Sequence, residues 1–574
     1  MANPASSVSY NLDQQVTQIT RADGSQLVFG YDASTAQLRT ISPSAGAGSV
    51  VTLNYMASTG QLQSVVASGA TQTFSYDGFL LSSAVLSGTV SATLNLGYDS
   101  DFRVASIGVN GSVVTQAYDP DSLLVQTGAM TITRHPQHGL ATGSALGGVS
   151  TSLAYNGFGE LESMSAALGA SPLYGLQLGY DKLGRVVSKT EVMAGVSTPR
   201  TYQYDAAGRL AVVSSGGTQL ASYGYDANGN RTQINGAVVA TVDAQDRLLN
   251  NAAASYNYSA AGTLTQKTQG AQVTSYGYDI FGNLLSVTLP GGGQIGYLVD
   301  GSHRRMGKKV NGAVTQRWVY QDALRIAAEV DAAGAIQARF VYGERPNVPE
   351  YMVKGGVSYL LITDHLGSVR LVVSSSTGAV VQRIDYDEWG RVTSDSNPGF
   401  QPFGFAGGVY DADTGLVRFG ARDYDAETGR WTAKDPIRFD GGDSNLYTYV
   451  GGNPVSYVDP TGEIVVNAVG AGVAAGVDIL GQLVRNGGNW RCIDLVETGV
   501  AAATGAVFPG AVGTYAKAWA YGTKVSGDTI SGIAAGAGVR AAYSVPPDKD
   551  GPYGRLTLPL GSLLPGGDSC KCRR

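Results

Sequence analysis

The chain has 574 residues and a formal net charge of −6, with 15% charged and 43% hydrophobic residues. This hydrophobic content excludes wholesale disorder, and the acidic balance argues against a nucleic-acid interface built on a basic surface. Glycine is abundant (79 residues) but follows no three-residue period, and proline is scarce (20 residues), which excludes collagen. Tyrosine (32) far outnumbers phenylalanine (13), a combination that favours many short strands joined by tight turns.

The ends of the chain give little sign of targeting or metal chemistry. The start, MANPASSVSYNLDQQ, lacks the basic residues and apolar run of a signal peptide. The three cysteines are Cys492, Cys570 and Cys572, and the last two have a C-x-C spacing that differs from the usual C-x-x-C metal knuckle. We therefore expect no metal and no cofactor.

A short Tyr-Asp repeat organises most of the chain. Most intervals between copies are about 20 to 25 residues. In seven copies a glycine lies four residues after the tyrosine. The tyrosines of the repeat are Tyr31, Tyr55, Tyr76, Tyr98, Tyr118, Tyr155, Tyr180, Tyr204, Tyr225, Tyr258, Tyr278, Tyr320, Tyr342 and Tyr386.

Each repeat predicts a β-hairpin. In YDAAGRLAVV, from Tyr204 to Val213, Tyr ends an alternating strand, Asp begins the turn, and Gly208 supplies a positive φ before the next strand leaves. Neighbouring hairpins that bury each other's faces form a continuous β-solenoid. The alternative, an array of β-sandwich domains, would need a period of about 100 residues, and the sequence shows the shorter one.

The copies YDKLGRVVSK, YDAAGRLAVV, YDANGNRTQI, YDIFGNLLSV and YDEWGRVTSD resemble the RHS/YD-repeat family, which includes bacterial Rhs effectors and the C component of insecticidal Tc toxins. The resemblance covers about residues 10 to 462. It implies an all-β fold, a YD-repeat β-solenoid that spirals into a hollow shell around its own C-terminal segment.

The stretch from Asp364 to Gly462 holds the best candidate chemistry. Asp423 and Asp435 flank the turn signal Glu427-Thr428-Gly429, and a hairpin centred on Gly429 would place the two carboxylates opposite each other. Carboxylates that close share a proton, which leaves one as acid and the other as base. Judged on the residues alone, most aspartates in such turns are only turn formers.

This stretch also resembles the RHS-associated core. In the family, the Arg-Asp pair and the downstream Asp form an aspartyl-type autoprotease that cuts just after a DPxG motif. The resemblance therefore implies catalytic roles for Arg422, Asp423 and Asp435. It implies a cut after the motif Asp459-Pro460-Thr461-Gly462. The family usually has an apolar residue next, whereas this chain has Glu463 followed by Ile464, and we expect the Glu463–Ile464 bond to be cut.

The tail is of different composition, rich in Ala and Gly. We predict three regions: residues 1–363 as the repeat shell, 364–462 as the core with the autoprotease site, and 463–574 as a variable, partly helical segment. This tail shows no clean membrane span and no recognisable catalytic residues. Three interpretations stay open for it: a small unfamiliar toxin, a membrane-active segment, or the remnant of a truncated or orphan member.

The resemblance also implies partners and a location. We expect a bacterial monomer that is made in the cytoplasm and exported by a specialised secretion system or toxin complex. Its expected partners are its own C-terminal segment as cargo, components of such a system, and an immunity protein, with no nucleic-acid binding by the shell. The alternative function is a non-enzymatic surface or carbohydrate-binding protein, which predicts outward-facing tyrosine rings and an uncut chain.

Overall fold

The computed structural model describes residues 6–44 and 49–468, and this part of the chain is all-β. Strand after strand pairs with its neighbour in sequence, always antiparallel. The predicted helical segments of the tail lie beyond residue 468, outside the described residues. None of the helices in the described ranges has the length and apolarity needed to cross a bilayer.

The first large sheet contains 23 of the strands found in the described ranges. Its strands are β1 (Ser7–Tyr10), β2 (Val16–Thr20), β3 (Gln26–Tyr31), β4 (Leu38–Pro43), β5 (Val51–Tyr55), β6 (Leu62–Ala67), β7 (Ala70–Asp77), β8 (Leu80–Ser87), β9 (Ala92–Tyr98), β10 (Val104–Val109), β11 (Ser112–Tyr118), β12 (Leu124–Thr127), β13 (Met130–Arg134), β14 (Ala141–Leu146), β15 (Val149–Tyr155), β16 (Leu161–Leu168), β17 (Ser171–Tyr180), β18 (Val186–Met193), β19 (Val196–Tyr204), β20 (Leu210–Ser215), β21 (Thr218–Tyr225), β22 (Arg231–Ile234) and β23 (Ala237–Val238).

The second large sheet contains 16 of the described strands. They are β24 (Ala240–Val242), β25 (Leu248–Asn251), β26 (Ser255–Tyr258), β27 (Leu264–Gln269), β28 (Gln272–Tyr278), β29 (Leu284–Thr288), β30 (Gln294–Val299), β31 (Arg305–Val310), β32 (Ala313–Tyr320), β33 (Ile326–Val330), β34 (Ile336–Val341), β35 (Tyr351–Lys354), β36 (Val357–Thr363), β37 (Val369–Ser374), β38 (Val380–Tyr386) and β39 (Val392–Asp395).

The segment that follows β39 forms two small sheets. A four-stranded sheet contains β40 (Val409–Asp411), β41 (Leu416–Phe419), β42 (Arg422–Asp425) and β43 (Arg430–Trp431), and a two-stranded sheet contains β44 (Tyr457–Val458) and β45 (Val466–Asn467). Among the described residues of this segment are three short 3-10 helices: Phe405–Gly407 comes before β40, and Arg438–Gly441 and Val450–Gly452 lie between β43 and β44.

In the clearest repeats the turn is stabilised by its own aspartate. Oδ1 of Asp205 accepts the backbone N–H groups of Ala207 (2.9 Å) and Arg209 (3.0 Å), and Oδ2 accepts Nε of Arg209 at 2.6 Å. The predicted left-handed glycine is confirmed, because the seven glycines four residues after tyrosine have φ between +72° and +93°. They are Gly159, Gly184, Gly208, Gly229, Gly262, Gly282 and Gly390.

The tyrosine and the arginine of the repeat link one hairpin to the next. The Tyr225 hydroxyl donates to the carbonyl of Leu210 at 2.7 Å, and the Arg209 guanidinium lies 4.6 Å from the centre of the Tyr225 ring. Other repeat tyrosines donate to a carbonyl 14 to 19 residues earlier in the same way: Tyr31, Tyr76, Tyr98, Tyr118, Tyr155, Tyr180, Tyr204, Tyr320, Tyr342 and Tyr386. All fourteen repeat tyrosines are buried or half-buried, so they do not form the exposed row that the surface-binding alternative predicts.

The two large sheets pack on each other with a regular offset along the chain. Nδ2 of Asn110 donates to the carbonyl of Gly334, 224 residues later, and Oγ1 of Thr127 donates to the carbonyl of Tyr342, 215 residues later. The apolar core follows the same rule, since the core cluster that contains Leu94 in the first sheet also contains Val319 in the second. Strands of the second sheet therefore cover apolar residues on strands of the first sheet.

Candidate functional site

The hairpin between β42 and β43 has a different register from the one predicted. Tyr424 pairs with Trp431, and both the amide and the hydroxyl of Thr432 donate to the carbonyl of Asp423 at 3.0 Å. The predicted opposition of Asp423 and Asp435 is wrong. Gly429 takes the last position of the loop, at φ +69°, rather than its centre, so the pairing partner of Asp423 lies three residues before Asp435.

Asp423 belongs to a buried ion pair on one face of β42. Its carboxylate accepts Nη2 of Arg305 at 2.8 and 3.1 Å and Nη1 of Arg418 at 3.0 Å. The Arg305 guanidinium lies 3.6 Å from the centre of the Tyr297 ring. Because neighbouring residues on a strand point to opposite faces, the side chain of Arg422 leaves β42 on the other side.

Arg422 holds two carboxylates there. Its Nη2 lies 2.8 Å from Oδ2 of Asp435 and 3.2 Å from Oδ2 of Asp459, and its guanidinium stacks on Trp431, 4.1 Å from the ring centre. Its Nε donates to the carbonyl of Gly462. Arg422, Asp435 and Asp459 are all buried. We call these three residues and Glu463 the Arg422 cluster.

The DPTG turn presents the peptide that follows it. Oδ1 of Asp459 accepts the backbone N–H groups of both Glu463 and Ile464 at 3.0 Å, and Oγ1 of Thr461 accepts them at 3.0 and 3.1 Å. Pro460 lies between these two acceptors in sequence. The turn is fixed to the small sheet, because the amide of Ala421 donates to the carbonyl of Thr461 at 2.8 Å. The two amides that flank the expected cut are therefore held in place.

Asp435 lies close to the carbonyl of Glu463. A Cβ built on Gly441 would lie 3.0 Å from Oδ2 of Asp435 and also 3.0 Å from the Glu463 carbonyl oxygen. The two oxygens are therefore at most about 6 Å apart, near enough for one water molecule to bridge them. Gly441 leaves this space open, and any larger residue there would fill it.

The cluster contains more carboxyl groups than its one arginine can neutralise. Burial raises the pKa of Asp435 to about 6, with repulsion from Asp459 adding and Arg422 opposing. Burial, then Asp435 and Asp459, raise the pKa of Glu463 to about 7. Burial also lowers the pKa of Arg422. Near neutral pH the cluster therefore binds protons, as a pair of acid and base carboxyls requires.

The structure brings most of the predicted site residues together but places the side chain of Asp423 elsewhere. Arg422, Asp435, the DPTG motif, Glu463 and Ile464 come together as a group, whereas the carboxylate of Asp423 is held by two other arginines. The sequence predicts Asp459 only as part of the motif, yet it supplies the second carboxylate on Arg422. The available signal is its place at the head of the turn that leads to the expected cut.

Comparison with known proteins agrees with this fold. The sequence profile of the teneurin YD-shell matches residues 4–455. Teneurin-3 of Danio rerio is 27% identical over 425 residues, covering 66% of this chain and 15% of teneurin-3. The tRNA3(Ser)-specific nuclease WapA of Bacillus spizizenii is 30% identical over 302 residues, covering 52% of this chain and 11% of WapA. The chain thus spans only a small part of the length of these relatives.

The fold also occurs in a solved toxin structure. The Tc holotoxin pore of Photorhabdus luminescens superposes with a TM-score of 0.67 at 17% identity, over 80% of this chain and 27% of that one. At this identity the likeness is one of fold. The family match over most of the chain, together with the repeat hairpins, shows that this chain belongs to the teneurin YD-shell family and is an RHS/YD-repeat shell protein.

Proposed function

We propose that this shell severs its own C-terminal segment by hydrolysing the Glu463–Ile464 bond, and that it carries the severed segment as cargo. One observation supports this above the others. Two buried carboxylates, Asp435 and Asp459, share Arg422 beside the very peptide that follows the DPTG turn.

The cluster has the groups that hydrolysis needs. Asp459 takes a proton from water as the water adds to the carbonyl carbon of Glu463, and a protonated Asp435 stabilises the carbonyl oxygen. The C–N bond then breaks. The proton held by Asp459 passes to the nitrogen of Ile464, which Asp459 already contacts at 3.0 Å. The products are a carboxyl group on Glu463 and a free amine on Ile464.

Arg422 has a positioning role in this scheme. It holds Oδ2 of both aspartates and also donates to the carbonyl of Gly462. The same donation would polarise the Gly462–Glu463 bond, which makes that bond the competing site of cleavage. The mass of the released fragment separates the two, because the fragment begins at either Ile464 or Glu463.

The sequence predicts a catalytic Asp423, and our proposal assigns that part to Asp459. Variants of Asp423 and Asp435 therefore distinguish a catalytic role from a structural one. Asp435→Asn should abolish cleavage, whereas any effect of Asp423→Asn should follow the loss of its ion pair with Arg305 and Arg418 and appear as a loss of stability.

The wider function follows the same proposal. In this proposal residues 1–363 serve as the repeat shell, 364–462 as the core that precedes the cut, and 463–574 as the variable segment, whose structure lies outside the described residues past 468. The names of the similar proteins, a tRNA nuclease and a Tc holotoxin, support a role in toxin delivery. We propose export by a toxin complex or specialised secretion system, with an immunity protein for the severed segment.

Gel electrophoresis of the purified full-length chain tests the proposal. The wild type should separate into two bands, and Asp435→Asn and Asp459→Asn should each leave one. Asp440→Asn is the matched control, because Asp440 lies in the same loop as Asp435 but is exposed, and it should be cut like the wild type. A cut Asp435→Asn chain would overturn the assignment of the site.

A further inference from the structure

Glu463 places an acidic side chain at the bond that the proposed reaction cuts. Its amide is held by Asp459 and Thr461, and its carbonyl oxygen lies near Asp435. The residue is half-buried. The family that this sequence resembles usually has an apolar residue at this position. The ionisable side chain of Glu463 is therefore a departure from the family pattern.

The charges that face Glu463 come from three segments. Arg422 is on β42, Asp435 follows β43, and Asp459 begins the DPTG turn. Asp443, in the loop after Asp435, adds to the negative charge around Asp435. Within this group a single arginine, Arg422, offsets the negative charge of Glu463 and the aspartates. Replacing Glu463 with a neutral residue would remove one negative charge and keep the contacts of Arg422 with Asp435 and Asp459.

An ionised Glu463 would oppose the reaction in two ways. Negative charge develops on its carbonyl oxygen as water adds, and a carboxylate on the same residue repels that charge. The carboxylate also competes with Asp435 and Asp459 for Arg422. A protonated Glu463 has neither effect. Burial among these acids raises the pKa of its side chain to about 7, so both forms occur within the range of cellular pH.

We propose that Glu463 makes self-cleavage depend on pH: the bond is cut while this side chain is protonated and is protected when the side chain ionises. The inference rests on the proposed autoproteolysis and adds a regulation that an apolar residue at position 463 could not supply.

The test compares the pH dependence of cleavage in two full-length chains. Wild type and Glu463→Gln are synthesised in a cell-free system at pH 8 with a radioactive label, translation is stopped, and aliquots are moved to buffers from pH 5.5 to 8.5. The rate is read from the released fragment on gels. Asp435→Asn serves as the uncut reference. Glu162→Gln removes an exposed carboxyl elsewhere and controls for the loss of one acidic residue.

The ratio of the two rates is the decisive quantity. If both Asp435 and Glu463 must be protonated, the logarithm of the wild-type rate falls with a limiting slope of about −2 against pH, and that of Glu463→Gln with about −1. The ratio of the Glu463→Gln rate to the wild-type rate should therefore rise about tenfold per pH unit above pH 7. Glu162→Gln should follow the wild type at every pH.

Other outcomes overturn the inference, and they separate it from the proposed function. Parallel profiles for wild type and Glu463→Gln would reject the role of Glu463 while leaving the autoprotease in place. A Glu463→Gln chain that stays uncut while the wild type is cut would also reject it, because Glu463 would then be required. Cleavage of Asp435→Asn, or no cleavage of any chain at any pH, would reject the proposed function and the inference together.

Discussion

Asp181 in a repeat turn and Asp435 in the Arg422 cluster have opposite electrostatics. For Asp181 in a repeat, burial is outweighed by the side chain and amide of Arg185 and by another turn amide, so its pKa is lowered. For Asp435, burial outweighs Arg422, and Asp459 adds repulsion, so its pKa is raised. The repeat satisfies each carboxylate within five residues, whereas the cluster gathers its charges from distant parts of the sequence. The first arrangement stabilises a turn, and the second keeps several buried carboxyl groups together.

Removing an arginine from the buried Asp423 ion pair, beside the cluster, and one from a repeat turn should give the largest contrast in stability. Arg305→Met leaves Asp423 buried with only Arg418, and the loss of one partner of a buried pair costs about 3–5 kcal/mol. Arg209→Met removes a partly exposed repeat pair with Asp205 and should cost about 1 kcal/mol or less. Urea denaturation of the two variants measures the difference, and equal losses would show that the Asp423 pair is not desolvated.

The repeat turns themselves differ in how tightly their glycines are packed. Gly208→Ala should cost about 1–2 kcal/mol for the left-handed backbone alone, since its φ is +84° and the added Cβ would lie 3.6 Å from the nearest side-chain atom. Gly390→Ala should cost about 1–3 kcal/mol more, because its Cβ would lie 2.2 to 2.6 Å from ring atoms of Phe405. Thermal unfolding of the two variants ranks them, and a Gly390→Ala chain as stable as Gly208→Ala would contradict this packing.

The pH dependence of stability should have opposite signs for the Arg422 cluster and for the repeat aspartate Asp181. The pKa values of Asp435 and Glu463 are raised in the folded chain, to about 6 and about 7. The contribution of these two groups to the free energy of unfolding is therefore fully present below about pH 4, and it is lost as the pH rises through the folded-state pKa values. The double variant Asp435→Asn with Glu463→Gln should therefore lose less stability than the wild type between pH 5 and pH 8.

Asp181 supplies the matched case of opposite sign. Its lowered pKa contributes stability above its ordinary pKa, and that contribution is lost as the pH falls through the folded value. Asp181→Asn should be less stable than the wild type at pH 7 and close to it in acid. Melting temperatures of both variants across the pH range check the two signs, and parallel curves with the wild type would contradict them.

The smallest contrast concerns tyrosine hydroxyls. Tyr225→Phe removes a half-buried hydrogen bond to Leu210 and should cost about 0.5–1.5 kcal/mol. Tyr424→Phe leaves the carbonyl of Trp389 without its donor in a fully buried setting and should cost about 1–3 kcal/mol. Chemical denaturation measures the free energy of unfolding of both variants, and we expect the larger loss for Tyr424→Phe. A larger loss for Tyr225→Phe would contradict the greater burial of the Tyr424 hydroxyl.

The same contrast explains what the sequence can predict. The repeat turn is local, so the spacing of Tyr204, Asp205 and Gly208 is enough to predict the hairpin and the left-handed glycine. The predicted register around Asp423 is wrong because the loop between β42 and β43 has four residues, 426–429, and Gly429 is the last of them rather than the centre. Asp459 lies 24 residues beyond Asp435, and only folding around Arg422 brings them together. The local pattern predicts the repeat turn, whereas only the family resemblance points to Arg422 and Asp435, and it does not single out the carboxylate of Asp459.

Identification of the first residue of the released fragment tests the central claim most directly. The full-length wild-type chain is purified and its products are examined by intact mass and N-terminal sequencing. We predict a fragment of about 11.5 kDa, for 111 of the 574 residues of the 59.4 kDa chain, beginning at Ile464. A single uncut chain of 59.4 kDa, or a fragment that begins away from the Arg422 cluster, would contradict the account.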